Sequence, residues 1–301
     1  MQTLSEIRAM LSAAGIEPRR RLGQNFLIDG NLMTKLLELA DLSQRQTVLE
    51  VGAGTGGLTE ELLTRAARVV AVEIDRGLFR QLADRLVGRA NLSLFCGDVL
   101  AGKHALSPEL IAQLGQSAVL VSNLPYSIAT PLVAQCLADS WRAVNQPGAA
   151  CTRFDRLTFT VQKEVADRLA AGPGGKSYGP ISVLIRLLGR MTPGPVVPAS
   201  AFWPRPKVTS RIVRIDLDAG ACLRVADLDV LRELLAAAFG HRRKQMGSLT
   251  RGKASRFRTD LMAAALDAAG VLHSLRPEQV PPEKFEAMAA ELARGQGQGP
   301  P

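Results

Sequence analysis

The most chemically pointed stretch of the chain is Asn123-Leu124-Pro125-Tyr126, directly after the apolar run Ala118–Ser122. An amide oxygen, a main-chain carbonyl, a stiffening proline and an aromatic face stand side by side. Together they could hold an exocyclic amine such as that of adenine. Such a nitrogen is a poor nucleophile, because its lone pair is delocalised into the ring. Two acceptors on its hydrogens, the Asn123 side-chain oxygen and the Leu124 carbonyl, would draw it toward a tetrahedral shape with the lone pair aimed at an electrophile. Pro125 would stiffen the turn that presents them. Tyr126 would offer a face on which the base stacks once it has left its helix or loop. Rate would then come from orientation and electrostatics rather than from a strong general base. The same four residues could be plain turn chemistry, so their place in the fold matters.

A second cluster is VLEVGAGTGGLT (48–59), an apolar run, a glycine loop and the start of a helix. Glycines let the main chain turn tightly and approach a ligand, and a helix N-terminus favours electron-rich groups. The spacing is ambiguous. Gly52, Gly54 and Gly56 suit the GxGxG loop of methyltransferases, whereas Gly52, Gly54 and Gly57 suit the GxGxxG of dinucleotide enzymes. Glu73 ends the run VVAVEID and could accept bonds from both ribose hydroxyls of either kind of nucleoside. Asp98, in FCGDVL, could accept a bond from a cofactor's adenine amine. Either carboxylate alone could simply cap a helix. Their recurrence at successive strand ends points to a ligand-binding edge. Asn123–Tyr126 after a fourth strand argues against hydride transfer, which has no use for it, and for S-adenosylmethionine as the cofactor.

These residues need a frame that brings strand ends together. Thr47–Val51, Arg68–Glu73, Asn91–Cys96 and Ala118–Ser122 read as buried strands, with Leu58–Arg65, Arg76–Leu86 and Pro108–Leu114 as helices between them. This alternation predicts an α/β fold with a mostly parallel, Rossmann-like sheet. Before it, a helix is expected over 4–14, a basic loop over 16–24 with Arg19-Arg20-Arg21, and a helix capped by Asp29. After it come a helix over 128–139, a loop over 145–153, a strand over 157–161, a helix through Ala171 and a Gly/Pro loop over 172–175. Residues 208–217 alternate as an antiparallel edge or hairpin strand should. From there the pattern is helical (226–239, 242–249, 255–268, 282–293), which places a domain boundary near 218. The expected organisation is a catalytic domain over 1–218, a small all-helical domain over 219–295 that binds RNA, and a disordered tail over 296–301.

Composition narrows the class. The 301 residues are 47% hydrophobic and 22% charged, with a net charge of +9. Residues 201–260 hold 13 Lys/Arg against 6 Asp/Glu, a basic field that suits a polyanion as well as a solvated face. No run is long and apolar enough for a membrane span or signal peptide, so a cytoplasmic protein is expected. Cys96, Cys136, Cys151 and Cys222, and His104, His241 and His273, are scattered without metal-ligand spacing, so no metal is expected.

Beyond these motifs the chain resembles the rRNA adenine N6-dimethyltransferases, most closely their small-subunit (16S) branch. The resemblance covers roughly residues 15–290. It rests on RRRLGQNFLID (19–29), QKEVADRL (162–169), SYGPISVL (177–184), AFWPRPKVTSRIV (201–213) and AFGHRRKQMGSL (238–249). It implies cofactor contacts from Asn25, Leu27, Gly52, Glu73, Asp98 and Asn123, and base contacts from Asn123 to Tyr126. Phe202 would be a second stacking surface or a core aromatic. Arg205, Lys207, Arg242, Arg243 and Lys244, with Arg251 and Lys253, are the candidates for gripping RNA phosphates. The resemblance further implies dimethylation of two adjacent adenosines near the 3′ end of small-subunit rRNA, a checkpoint role in subunit assembly and the immature small subunit as partner; a monomer is expected. Two departures stand out: a longer stretch over 139–155, and Ala53 where the family's glycine loop usually carries proline. Rival readings are a large-subunit rRNA methyltransferase of the antibiotic-resistance type, a DNA adenine methyltransferase, a mainly non-catalytic assembly factor and, on the glycine loop alone, a nicotinamide dehydrogenase.

Overall fold

The computed structural model describes residues 2–19, 22–100, 102, 105–251 and 257–297. Arg20, Arg21, His104, Lys253 and the tail residues 298–301 lie outside the described residues.

In chain order the elements are α1 (Leu4–Ala13), β1 (Phe26–Leu27), α2 (Gly30–Ala40), β2 (Thr47–Val51), α3 (Gly57–Leu63), β3 (Arg68–Glu73), α4 (Arg76–Arg85), β4 (Leu92–Cys96), α5 (Pro108–Leu114), β5 (Ser117–Asn123), α6 (Ala129–Asn145), β6 (Arg153–Gln162), α7 (Lys163–Ala170), α8 (Pro180–Leu188), β7 (Gly189–Val197), β8 (Phe202–Trp203), β9 (Ser210–Leu217), α9 (Ala219–Arg224), α10 (Leu228–Gly240), α11 (Thr259–Ala268) and α12 (Pro282–Gly297). Seven strands form one sheet in the order β4-β3-β2-β5-β6-β9-β7. The first five run parallel, and β9 joins β6 antiparallel, Leu157 opposite Ile215. The central strands β2, β3 and β5 are buried almost end to end (Val48–Val51, Val69–Glu73, Ala118–Ser122), as strands covered on both faces must be.

The order carries the functional consequence. The chain lays β2, β3 and β4 outward on one side, then returns to lay β5 and β6 on the other. The switch point therefore lies between β2 and β5, which pair through Val48–Val119 and Leu49–Leu120. Crevices for ligands open at the carboxyl ends of strands at such a point. The glycine loop leaves β2 and Asn123 ends β5, one on each side of it.

Local signals set the helix starts. Thr3 and Glu6 form a capping box at α1, and the side chains of Asp29, Asp75 and Ser107 cap α2, α4 and α5.

The contacts divide the chain into two compact units. The first is Met1–Ala166 with Met191–Leu217; the second is Asp167–Arg190 with Asp218–Pro301. The expected boundary at 218 therefore missed 167–190. The reason is α8, PISVLIRLL, which buries seven of its nine residues and needs covering on most sides. It packs on α9, α10 and α12 of the second unit. Tyr178, Phe239 and Phe285 form an aromatic chain there, with centroids 5.9 and 5.7 Å apart, and the Tyr178 hydroxyl donates to the Val280 carbonyl.

Three further expectations are corrected. Residues 242–249 are not a helix: α10 ends at Gly240, Lys244 N–H closes a turn on the His241 carbonyl, and a 3-10 turn spans Met246–Thr250. Gly247 there packs on the His273 main chain, where a Cβ would lie 3.1 Å from its carbonyl oxygen, so the segment follows a tertiary contact rather than a helical period. Strand β7, GRMTPGPVV, drew no expectation, since two prolines and two glycines mask any strand period; it lies at the sheet's end, where proline is tolerated. The last helix runs to Gly297, so the low-complexity tail begins inside it. Helix α6 continues to Asn145, which accounts for the first part of the long 139–155 stretch.

Candidate active site

Four strand ends supply the site. After β2 the main chain takes positive φ at Gly52 (77°), Gly54 (58°) and Gly56 (79°), the GxGxG spacing. Gly57 is instead the first residue of α3. Gly56 is the most constrained of the loop: beyond its left-handed φ, a Cβ would collide with Leu82 and the Arg85 guanidinium. It thus faces α4 rather than the cleft, a correction to its expected place among the cofactor contacts.

The loop edges a cleft enclosing about 760 Å³, partly open to solvent, lined by Asn25, Leu27, Glu50, Gly52, Gly54, Glu73 and Asn123 among others. A second cleft of about 470 Å³ adjoins it, sharing Leu22, Gly52, Ile74 and Pro125, and reaches Gly97, Asp98 and Val99. Six of the expected cofactor contacts thus meet in the first cleft, and Asp98 lines the second. Asp98 is exposed and accepts from Leu100 N–H at 3.0 Å.

Glu73 is buried. One carboxylate oxygen accepts from Gly54 N–H (2.7 Å) and the other from Asp75 N–H (2.8 Å), so the acid also braces the loop. Burial pushes its carboxyl upward, and the Asp75 and Gly54 donors oppose that shift. Glu50, on β2 and only 2% exposed, lines the same cleft. Burial pushes its carboxyl up to about 8, and its Oε2 is without a hydrogen-bond partner among the described residues.

The Asn123–Tyr126 turn is set against this cleft. Pro125 sits between two glycines: a Cβ at Gly52 would approach its ring to 3.1 Å, and one at Gly23 to 3.6 Å. Asn123 donates through Nδ2 to the Asn25 main-chain carbonyl at 2.9 Å. A carbonyl accepts only from a donor, so this bond orients the amide and leaves Oδ1 for another partner. Leu124 is buried, which leaves its main-chain carbonyl as the group that could act. Tyr126 is half-buried and lines neither cleft; its hydroxyl shares a hydrogen bond of 2.7 Å with Ser210.

Phe202 is corrected. It is 2% exposed within a hydrophobic core cluster, opposite Leu27 in the short β1–β8 pair, and cannot offer a face to a base. Its neighbour Trp203 stacks on Phe26, with Arg8 5.3 Å above the indole. Arg205 and Lys207 are exposed on the loop that follows. In the second unit Arg243 and Lys244 are exposed, while Arg242 is engaged by the Gly175 carbonyl (3.3 Å) and Glu278 (3.8 Å).

Sequence reasoning missed Gln2, Glu50 and Ile74. Gln2 is buried and bonded through its amide to both the Thr55 carbonyl (2.8 Å) and hydroxyl (2.7 Å), holding the chain start on the glycine loop; nothing in its neighbourhood signals this. Glu50 did carry a signal, an acid inside an otherwise apolar strand.

A profile of the ribosomal RNA adenine dimethylase family matches residues 16–291. The chain belongs to the ribosomal RNA adenine dimethylase family. It is 40% identical over 299 residues to a protein of Phenylobacterium zucineum named Ribosomal RNA small subunit methyltransferase A, covering 98% of this chain and 95% of that one. A protein of the same name from Moorella thermoacetica is 34% identical, covering 94% and 96%. In fold it is similar to a dimethyladenosine transferase from Plasmodium falciparum, with a TM-score of 0.71 at 23% identity over 90% of this chain and 98% of that one. The 23S rRNA methyltransferase ErmE gives a TM-score of 0.61 at 27% identity, over 89% and 100%. A ribosomal RNA adenine dimethylase must bring a methyl donor to an adenine amine. The adjoining clefts and the Asn123 turn stand side by side at the switch point. Among the described residues no helix is long and apolar enough to cross a membrane.

Proposed function

We propose that this chain transfers methyl groups from S-adenosylmethionine to the N6 amines of two adjacent adenosines near the 3′ end of small-subunit (16S) rRNA, giving N6,N6-dimethyladenosine. The observation that carries the reading is the Asn123 amide, oriented by the Asn25 carbonyl at the rim of an acid-lined cleft. The small-subunit target draws support from the names of the relatives that match nearly the whole chain.

The residues fit the donor. S-adenosylmethionine carries a sulfonium, an ammonium, a ribose diol and an adenine. The clefts offer carboxylates at Glu73 and Asp98, and at Glu50 an oxygen buried without a partner among the described residues. When bound, the donor supplies a methyl group on positively charged sulfur. Gly52 and Gly54 let the main chain approach it, and Asn25 and Leu27 wall its cleft. Asn123 Oδ1 and the Leu124 carbonyl accept the two amine hydrogens and aim the lone pair, and Tyr126 supports the ring. Arg205 and Lys207 on the catalytic unit, and Arg243, Lys244 and the partly engaged Arg242 on the helical unit, grip phosphates. The helical unit serves as the RNA-binding domain, and the protein works in the cytoplasm as a monomer in small-subunit biogenesis.

The deciding experiment is mass spectrometry of nucleosides from purified rRNA after incubation with the protein and labelled S-adenosylmethionine. Labelled N6,N6-dimethyladenosine in small-subunit RNA is the expected result. Label in large-subunit RNA alone would move the reading to the antibiotic-resistance type, and label in neither would refute it.

A further inference from the structure

Tyr126 leaves the catalytic turn at the end of β5, yet its hydroxyl does not face solvent. It reaches Ser210, the first residue of β9, at 2.7 Å. Ser210 is fully buried and stands opposite Gln162 in the β6–β9 ladder, while Asn123 stands opposite Thr160 in the β5–β6 ladder. The Tyr126 side chain therefore spans β6 and ties the catalytic turn to the strand that follows the Arg205–Lys207 loop. A half-buried tyrosine could pack on hydrophobic contact alone. A hydroxyl bonded to a side chain locked in a sheet fixes the ring's plane as well.

From this we infer that Ser210 is a positioning residue: it holds the Tyr126 ring in the plane on which the target base stacks, and it makes that plane move with the basic loop leading into β9. The inference rests on the reading of Tyr126 as the base-stacking face. It adds that the aromatic surface is set by a distant strand rather than by its own turn. The hydroxyl would take no proton and touch no reacting atom; its effect passes through ring orientation only. An amine displaced by a fraction of an ångström from Asn123 Oδ1 loses alignment with the methyl group, which lowers turnover more than binding.

The test combines Ser210→Ala, Tyr126→Phe and the double variant, with Ser210→Thr as the conservative rescue. Single-turnover methylation of small-subunit rRNA lacking the modification should slow about tenfold in each single variant. The KM for RNA and the Kd for S-adenosylmethionine should change by less than about twofold. The double variant should be no slower than either single one, because both remove the same bond. Ser210→Thr, which keeps a hydroxyl, should restore most of the rate. A second readout needs no activity. The chain has two tyrosines, and the Ser210 bond lowers the Tyr126 ionisation that burial raises. Ser210→Ala should therefore move one tyrosinate absorbance transition to higher pH, identified by its absence in Tyr126→Phe. Losses that multiply in the double variant, or a tyrosine transition that stays put in Ser210→Ala, would overturn the inference. Failure of the wild-type protein to methylate adenine would instead sink the functional reading, and the tyrosine transition would still judge the pair.

Discussion

Asn123 and the neighbouring Asn25 carbonyl explain why an amide, rather than a carboxylate, suits this position. With Nδ2 on a carbonyl, the side chain needs a donor on one arm and an acceptor on the other. A carboxylate has no donor, and one of its oxygens would face the carbonyl. Asn123→Asp should therefore lose about 100-fold in rate at pH 8. The facing carbonyl would push that carboxyl above its ordinary range, so activity should recover in part as the pH is lowered and the acid gains a proton to donate to Asn25; a pH–rate profile parallel to wild type would count against this geometry. Glu50 gives a second prediction. Its folded-state carboxyl at about 8 lies above the ordinary 4.5, so the folded chain binds this proton more tightly. The stability it contributes is complete below about 4.5 and is lost as the pH rises through about 8. Thermal melts of the ligand-free protein should fall in Tm from pH 6 to 9. Glu50→Gln should flatten that fall. Asn123 and Glu73 were legible from their types at strand ends. The Asn25–Asn123 bond was not, since 98 residues separate its partners and a main-chain carbonyl has no signature in sequence.

Elements were most legible where a period ran long. Strands β2, β3 and β5 and helices α4 and α5 lie within a residue or so of their expected limits, because buried parallel strands read as apolar runs and capping residues mark the helices. Legibility failed where a tertiary contact overrode local pattern. The 242–249 segment has helical composition, yet Met246 and Leu249 are buried around a turn seated on His273. The glycine loop was ambiguous as a spacing and became definite as a backbone: positive φ at Gly52, Gly54 and Gly56 separates them from Gly57. Gly56→Ala should accordingly be costly, through about 1–2 kcal/mol of left-handed strain and a further clash with α4. Calorimetry should show a Tm lower by several degrees, and cofactor affinity should drop with it because Gly54 and Glu73 brace the same loop. Gly57→Ala, with room for a Cβ 3.4 Å from Gln2, should be milder; equal losses would mean that the φ argument is wrong.

At the scale of the whole molecule, a net charge of +9 coexists with a cleft lined by Glu50 and Glu73, so the molecule as a whole favours a polyanion while the proposed cofactor cleft carries acids. The two-unit division was half legible: a change from alternating to helical pattern marks Leu217, but α8 lies between strands in sequence and belongs to the helical unit in space. Replacing both Arg243 and Lys244 with alanine should weaken RNA binding and lower the slope of log affinity against log salt by roughly 1–2. Arg242→Ala should also lower the melting temperature, because Arg242 bonds Gly175 and Glu278 within its own unit. A salt slope unchanged in the double variant would remove these residues from the RNA surface. The sheet ends at β7, whose Pro193 and Pro195 are two residues apart. Main-chain N–H groups alternate between the two edges of a strand, so both missing donors fall on one edge; a strand bonded to β9 on one side spends that loss on the other. The outward rim thus lacks two consecutive donors that an incoming chain would need, and it resists templating another copy into fibrous stacks. Valine at both positions should leave the melt nearly unchanged and produce light scattering that grows with protein concentration.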